Sequence, residues 1–237
     1  MAYDVELFLS AVTNAGIETR LTAVASLEHA LKAETGPLPG LVDRVLPALL
    51  RGLGDSYKGV QVHSANCLAL LSEGSAAVVP ALRETMAGPD AWQAWGAALV
   101  TARMGHWFPE MGPALSAAMG SADRDVRWAA AGYAFQLGRT HPAAVAMVKE
   151  TLVSPNPLAR KMAAYCLGAM GGYAPVETAL SECLGDPERD VRRAAIVALS
   201  KLPEVSAAMR NRVAELRADP DEHVRRTAAA VAAQLGA

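Results

Sequence analysis

Apolar residues in the C-terminal part of the chain fall on one helical face. Counted from Val191, they occupy positions 0, +3, +4, +7 and +8 (Val191, Ala194, Ala195, Ala198, Leu199), the spacing of an α-helix that buries a single stripe. The stripe begins again at Val224, 33 residues later, and going backwards it begins at Ala159, Val126, Gln93 and, with a small slip, Val62. Between these stretches lie others of similar period, "LPGLVDRVLPALLRGL", "SAAVVPALRETMAG", "HPAAVAMVKETLVS" and "YAPVETALSECLG". Asp, Ser or Gly followed at once or nearly so by Pro separates the two stretches of each copy, supplying a helix cap and a backbone angle suited to a first helical turn. The pattern predicts an all-α chain of about seven helical hairpins stacked as a right-handed superhelix, since a repeat of this length marks a solenoid.

The copies differ in quality. "GIETRLTAVASLEHALKA" is the most degenerate, so residues 1–53 are expected to form N-terminal capping repeats and residues 54–237 the better-defined ones, all within a single domain. Ankyrin and tetratricopeptide signatures are missing, whereas Asp-Pro-x-x-x-Val-Arg-x-x-Ala-x-x-Ala-Leu recurs at residues 186–199 and 219–232 with small changes. That pattern resembles the HEAT repeat, in particular the short form of the phycobilisome lyases known as the PBS-lyase HEAT-like repeat. The resemblance rests on letters from about residue 121 onward and on periodicity before it. It implies that the pairs Asp186/Arg192 and Asp219/Arg225 are rungs of a ladder linking a turn to the next helix. The most repeated residues are then architectural, and function is to be sought where the copies differ.

Positions +2, +6 and +9 lie opposite the buried stripe, and the resemblance to HEAT solenoids implies that the second helix of each hairpin lines the concave side. The +2 column reads Ser64, Trp95, Trp128, Lys161, Arg193 and Arg226, passing from aromatic to cationic. Phe135 stands two turns beyond Trp128, Arg139 one turn further, and Tyr165 at +6 of the next copy. These residues predict a groove with an aromatic centre and a basic C-terminal half, suited to a protein or peptide partner with an apolar anchor and acidic residues, since Trp, Tyr and Arg dominate binding hot spots. The competing reading is that Trp95 and Trp128 fill gaps between alanine-rich helices while the arginines pair with Glu188, Asp190, Asp221 and Glu222. The anchor at Gln93 is polar, so a shift of one residue turns Trp92 or Trp95 inward.

Composition changes this picture little. Alanine carries much of the 52% hydrophobic content, while aromatics make up 5%, which favours helices and close helix packing. Net charge is −2, with −4 in residues 1–120 and +2 in residues 121–237, so the phosphate-neutralising surface of a nucleic-acid binder is missing. Asp4 and Glu6 stand where a signal peptide needs a basic start, and every apolar run is interrupted short of a membrane span; a cytoplasmic location without membrane insertion is expected. Cys67, Cys166 and Cys183 are widely spaced among apolar neighbours and read as reduced core thiols.

Enzymatic precedents on this architecture find little support. The di-iron deoxyhypusine hydroxylases depend on His-Glu pairs, but none of His29, His63, His106, His141 and His223 is followed by Glu; spread over different repeats without paired carboxylates, they read as surface or cap residues. The HEAT-like alkyl-purine DNA glycosylases use a basic cleft with Trp, Asp and Arg, of which Trp128 and Arg160 imitate only part. No triad, phosphate-cradling loop or metal-ligand spacing is present; "MGGYAP" at residues 170–175 reads as a hairpin junction where glycine ends a helix. In "RMGHWFPEMGP", Trp107 and Phe108 are expected to wedge hairpins together at an inter-repeat turn. The sequence thus points to a non-catalytic scaffold with no metal or cofactor, working alone or as half of a heterodimer. The alternative is a phycobilin-lyase-like protein whose aromatic and arginine groove holds a tetrapyrrole or another small anionic ligand, and for that the shared letters are only architectural.

Overall fold

The turn that leads into the second helix of most repeats is a closed hydrogen-bonded unit, and it sets how that helix begins. A computed structural model describes residues 3–14, 16–33, 40–171 and 175–236. Among them the regular elements are helices, distributed over two compact units, residues 1–114 and 115–237. The first unit holds α1 (Val5–Val12), α2 (Ile17–Ala33), α3 (Leu41–Gly52), α4 (Lys58–Gly74), α5 (Val78–Met86) and α6 (Ala91–Arg103), and the boundary falls inside α7 (Met111–Met119). The second holds α8 (Arg124–Gly138), α9 (Pro142–Thr151), α10 (Pro157–Met170), α11 (Glu177–Cys183), α12 (Arg189–Leu199), α13 (Ala207–Glu215), a short 3-10 turn (Leu216–Ala218) and α14 (Glu222–Leu235). The even-numbered helices carry the repeated stripe. Of the "MGGYAP" motif, residues 172–174 lie outside the described residues, and α10 stops at Met170 with Gly171 as its C-cap.

In these turns a short polar side chain accepts from the backbone N–H two residues on: Asp55 from Tyr57 (2.9 Å), Ser154 from Asn156 (3.2 Å), Asp186 from Glu188 and Asp219 from Asp221 (both 2.8 Å). Such an Asx-type turn competes with helix and places the next residue as a cap. Asp90, Asp123, Asn156 and Asp221 then accept from first-turn N–H groups of α6, α8, α10 and α14, each cap contributing about 1 kcal/mol. An arginine one position after the first stripe residue closes the unit from the far side. Arg127, Arg160, Arg192 and Arg225 donate through Nη1 to the carbonyls of Ser121, Ser154, Asp186 and Asp219, six residues back, at 2.6 to 2.9 Å.

The rest of the guanidinium reaches forward. Arg160 lays Nε and Nη2 on both oxygens of Asp186 (2.8 and 2.9 Å), and Arg192 does the same to Asp219 (2.8 Å each). Arg20 and Asp55 form an equal pair in the first unit, at 2.7 and 2.9 Å. The rungs expected within a repeat therefore run between repeats: Arg192 touches only the backbone of Asp186 and gives its fork to Asp219. The ladder breaks where Ser154 replaces the aspartate that Arg127 would meet.

This unit also corrects a register. Gln61, six residues after Asp55, donates to its carbonyl at 2.6 Å, the role the arginines play elsewhere. The anchor of α4 is thus Val60, fully buried and 33 residues before Gln93, and not Val62, which is 45% exposed. Ser64, expected on the open face, is buried in consequence.

In the second unit α8, α10, α12 and α14 pack in series, each on the next, while α11 and α13 pack mainly on their own hairpin partners and α9 packs equally on α8 and α10. The even helices therefore form the inner layer. Small residues permit their approach: a Cβ on Gly168 of α10 would lie 2.6 Å from the Ala198 Cα of α12. Val191, Ala194, Ala195, Ala198 and Leu199 are all fully buried, a valine or leucine so placed contributing about 1.5–3 kcal/mol.

Candidate binding surface

With the stripe of α8, α10, α12 and α14 turned into the core, the residues at +2 stand on the opposite side of the inner layer. Trp128 of α8 is 50% exposed, one of the few large hydrophobic side chains left in solvent. Its ring stacks with that of Tyr165 on α10, centroids 6.0 Å apart and planes inclined by 28°. An offset pair of this kind contributes about 0.5–1.5 kcal/mol beyond burial and holds an exposed indole in one orientation.

The neighbouring repeats supply charge. Lys161 donates to Asp190 at 3.0 Å, holding that carboxyl below the usual carboxylate range with help from Arg193 and Arg189. Arg193 is half-buried in the same column of α12. Arg226 of α14 lies 3.8 Å from Glu222, and its Nη2 is 2.9 Å from His223 Nδ1. Three cations thus stand near two carboxylates, and a surface pair such as Arg226–Glu222 holds little energy.

The expected residues are not all brought together. Phe135 is half-buried about 10 Å further along α8 from Trp128, while Arg139 caps the end of that helix about 16 Å away and is exposed. Trp95 is 9% exposed inside a run of α6 buried from Ala94 to Ala98, so it packs within the first unit, and Trp92 is the exposed indole of that helix at 47%. At the turn after α6, Arg83 places its guanidinium 4.7 Å from the Phe108 ring centre and pairs with Glu110 at 2.6 Å, which ties this turn to α5.

A second polar constellation, unseen in the sequence, lies in the first unit. Glu28 of α2 is 5% exposed. One carboxylate oxygen accepts from Lys32 (2.5 Å), the other meets His63 Nδ1 of α4 (2.6 Å), and Asn66 Nδ2 is 3.2 Å from both. Burial alone would push this carboxyl up, but the bonds from Lys32, His63 and Asn66 outweigh it and hold the group below its ordinary value. His63 is therefore paired with a carboxylate, contrary to the sequence reading of the histidines. The pair joins α2 to α4 across a separation of 35 residues.

The three cysteines are buried. Burial pushes the thiols of Cys67 and Cys166 up to about 12 and that of Cys183 to about 11, far from a reactive thiolate. Among the described residues no group of three His, Cys, Asp or Glu side chains could hold a metal ion, and no helix is long and apolar enough to cross a membrane.

Comparison with known proteins agrees with this architecture. Residues 112–200 match the family described as HEAT repeats. No curated protein matches the chain in sequence. Among solved structures, the chain is similar to Cex1p (TM-score 0.56, 15% identity, 98% of this chain and 52% of that one). It is also similar to a mutant of Kap121p (0.55, 12%, 99% and 30%) and to the MAST/Orbit N-terminal domain (0.53, 17%, 100% and 98%). At these identities the likeness concerns the fold, a helical-repeat solenoid.

Proposed function

We propose that the chain is a non-catalytic interaction scaffold and that the inner layer of its second unit binds a protein or peptide partner. The observation that carries this reading is the Trp128–Tyr165 stack: Trp128 is 50% exposed on a helix whose buried residues are Ala130, Ala131, Ala134, Leu137 and Gly138. A rigid aromatic pair offers large contact area at little entropic cost, and Lys161, Arg193 and Arg226, further along the same column, favour a partner that carries acidic residues around an apolar side chain. HEAT-type repeat folds characteristically present such surfaces.

The test is capture from the native host by the wild-type chain, by the double variant Trp128→Ala, Arg193→Glu, and by a control variant at exposed Val153. Loss of a defined polypeptide from the double variant alone, with helical content and melting unchanged, supports the reading. Visible absorbance in the purified wild type without a polypeptide would instead favour a tetrapyrrole carrier.

A further inference from the structure

The Glu28 constellation is asymmetric in a way that matters for ligands. Its negative group is buried, the Glu28 side chain being 7% exposed, whereas the positive groups around it open to solvent: Lys32 is 59% and His63 35% exposed. Asn66 extends the set to a third helix, donating to Glu28 through Nδ2 and accepting from Arg103 of α6 through Oδ1 at 2.9 Å. Lys32 and His63 are thus tied to a single buried carboxylate, and Arg103 to the amide that also reaches it. Among the described residues, the charged and titratable groups facing this carboxylate are Lys32 on its own helix and His63 and the buried thiol Cys67 on α4, with Arg103 reached from α6. The outward field is positive, by one charge with a neutral imidazole and by two with an imidazolium.

We propose that Lys32, His63 and Arg103 form a phosphate-class oxyanion site on the first unit, independent of the surface assigned to the second. Three donors from three helices suit an anion with several oxygens better than they suit one another. Ammonium, guanidinium and imidazolium groups all make charge-assisted bonds to phosphate oxygens, and the pairs with Glu28 and Asn66 fix their positions before the ligand arrives. With Nδ1–H committed to the Glu28 carboxylate, the imidazolium form of the ring presents a donor at Nε2 to an oxyanion.

The site is tested on the intact chain by NMR, with the His63 ring signals assigned through His63→Gln and titrated with sodium phosphate against sodium chloride of equal ionic strength. The expected result is a saturable, phosphate-specific shift that Lys32→Gln, Arg103→Gln abolishes while helical content is retained. A short phosphoserine peptide and its unphosphorylated twin identify the source. Tighter saturation by the phosphopeptide than by free phosphate assigns a modified polypeptide, and equal or weaker saturation assigns a small phosphate compound. A shift matched by chloride, no saturation, or full retention in the double variant overturns the proposal. Should the double variant unfold, the comparison of phosphate with chloride on the wild type decides alone.

Discussion

Arg192 grips both oxygens of Asp219 at 2.8 Å while its remaining terminal nitrogen holds the carbonyl of Asp186 at 2.9 Å. One side chain thereby fixes the turn of its own repeat and the turn of the next. With the Asp219 side chain 3% exposed, Asp219 without Arg192 is a nearly buried, uncompensated charge. Arg192→Leu is expected to lower the unfolding free energy by about 2 kcal/mol, read by urea titration followed by circular dichroism. Replacing both residues by apolar ones should cost less than this single change.

The same rungs set the acid limit of stability. The Arg192 bond holds Asp219 below the usual carboxylate range, and Arg160 does so for Asp186 against the opposing effect of burial. The unfolded chain binds protons on these aspartates near pH 4, where the folded chain does not. The stabilisation is complete above that pH and is lost as pH falls through the lowered folded values. Melting temperature should be flat from pH 7 to about 5 and drop below pH 4. In Arg192→Leu the drop should begin at higher pH.

Where the ladder is broken it can be mended. Arg127 holds the carbonyls of Ser121 and Ala122 as its counterparts do, but Ser154 offers it no carboxylate. Ser154→Asp should keep the turn bond to Asn156, as Asp186 does to Glu188, and add about 1 kcal/mol of stability. The gain should vanish when Arg127 is also replaced by alanine, as a double-mutant cycle would show.

Two glycines predict opposite effects. A methyl group on Gly168 would meet the Ala198 backbone at 2.6 Å, whereas around Gly132 of α8 there is nothing within 4 Å. Gly168→Ala should destabilise by about 1–3 kcal/mol through overpacking. Gly132→Ala should stabilise by about 0.5–1 kcal/mol by lowering the entropy of the unfolded chain. Thermal melts of the two variants separate close packing from simple helix propensity.

The helical hairpins were legible because the buried stripe and the turn letters repeat together at 33 residues. The register of α4 was not, since Val60 and Val62 are both valine and both fit an apolar anchor; the Gln61 bond to Asp55 and the burial of Val60 decide between them. Trp95 and Trp128 occupy equivalent positions in their repeats, yet one is buried and the other exposed. Equivalent position does not fix exposure, because the neighbours that cover a helix lie outside its own sequence. The Glu28–His63 pair was hidden for a related reason: each residue alone looks like an ordinary helix-surface group, and the pair exists only once α2 and α4 lie side by side.

The most direct measurement of the central claim is the binding of the captured partner, once isolated, to the wild-type chain and to Trp128→Ala, Arg193→Glu, by isothermal titration calorimetry at matched salt. An indole hot spot and a reversed charge at the centre of the interface should together weaken binding by about a hundredfold or more, at unchanged melting temperature. Equal affinity in a folded double variant would contradict the assignment of this surface.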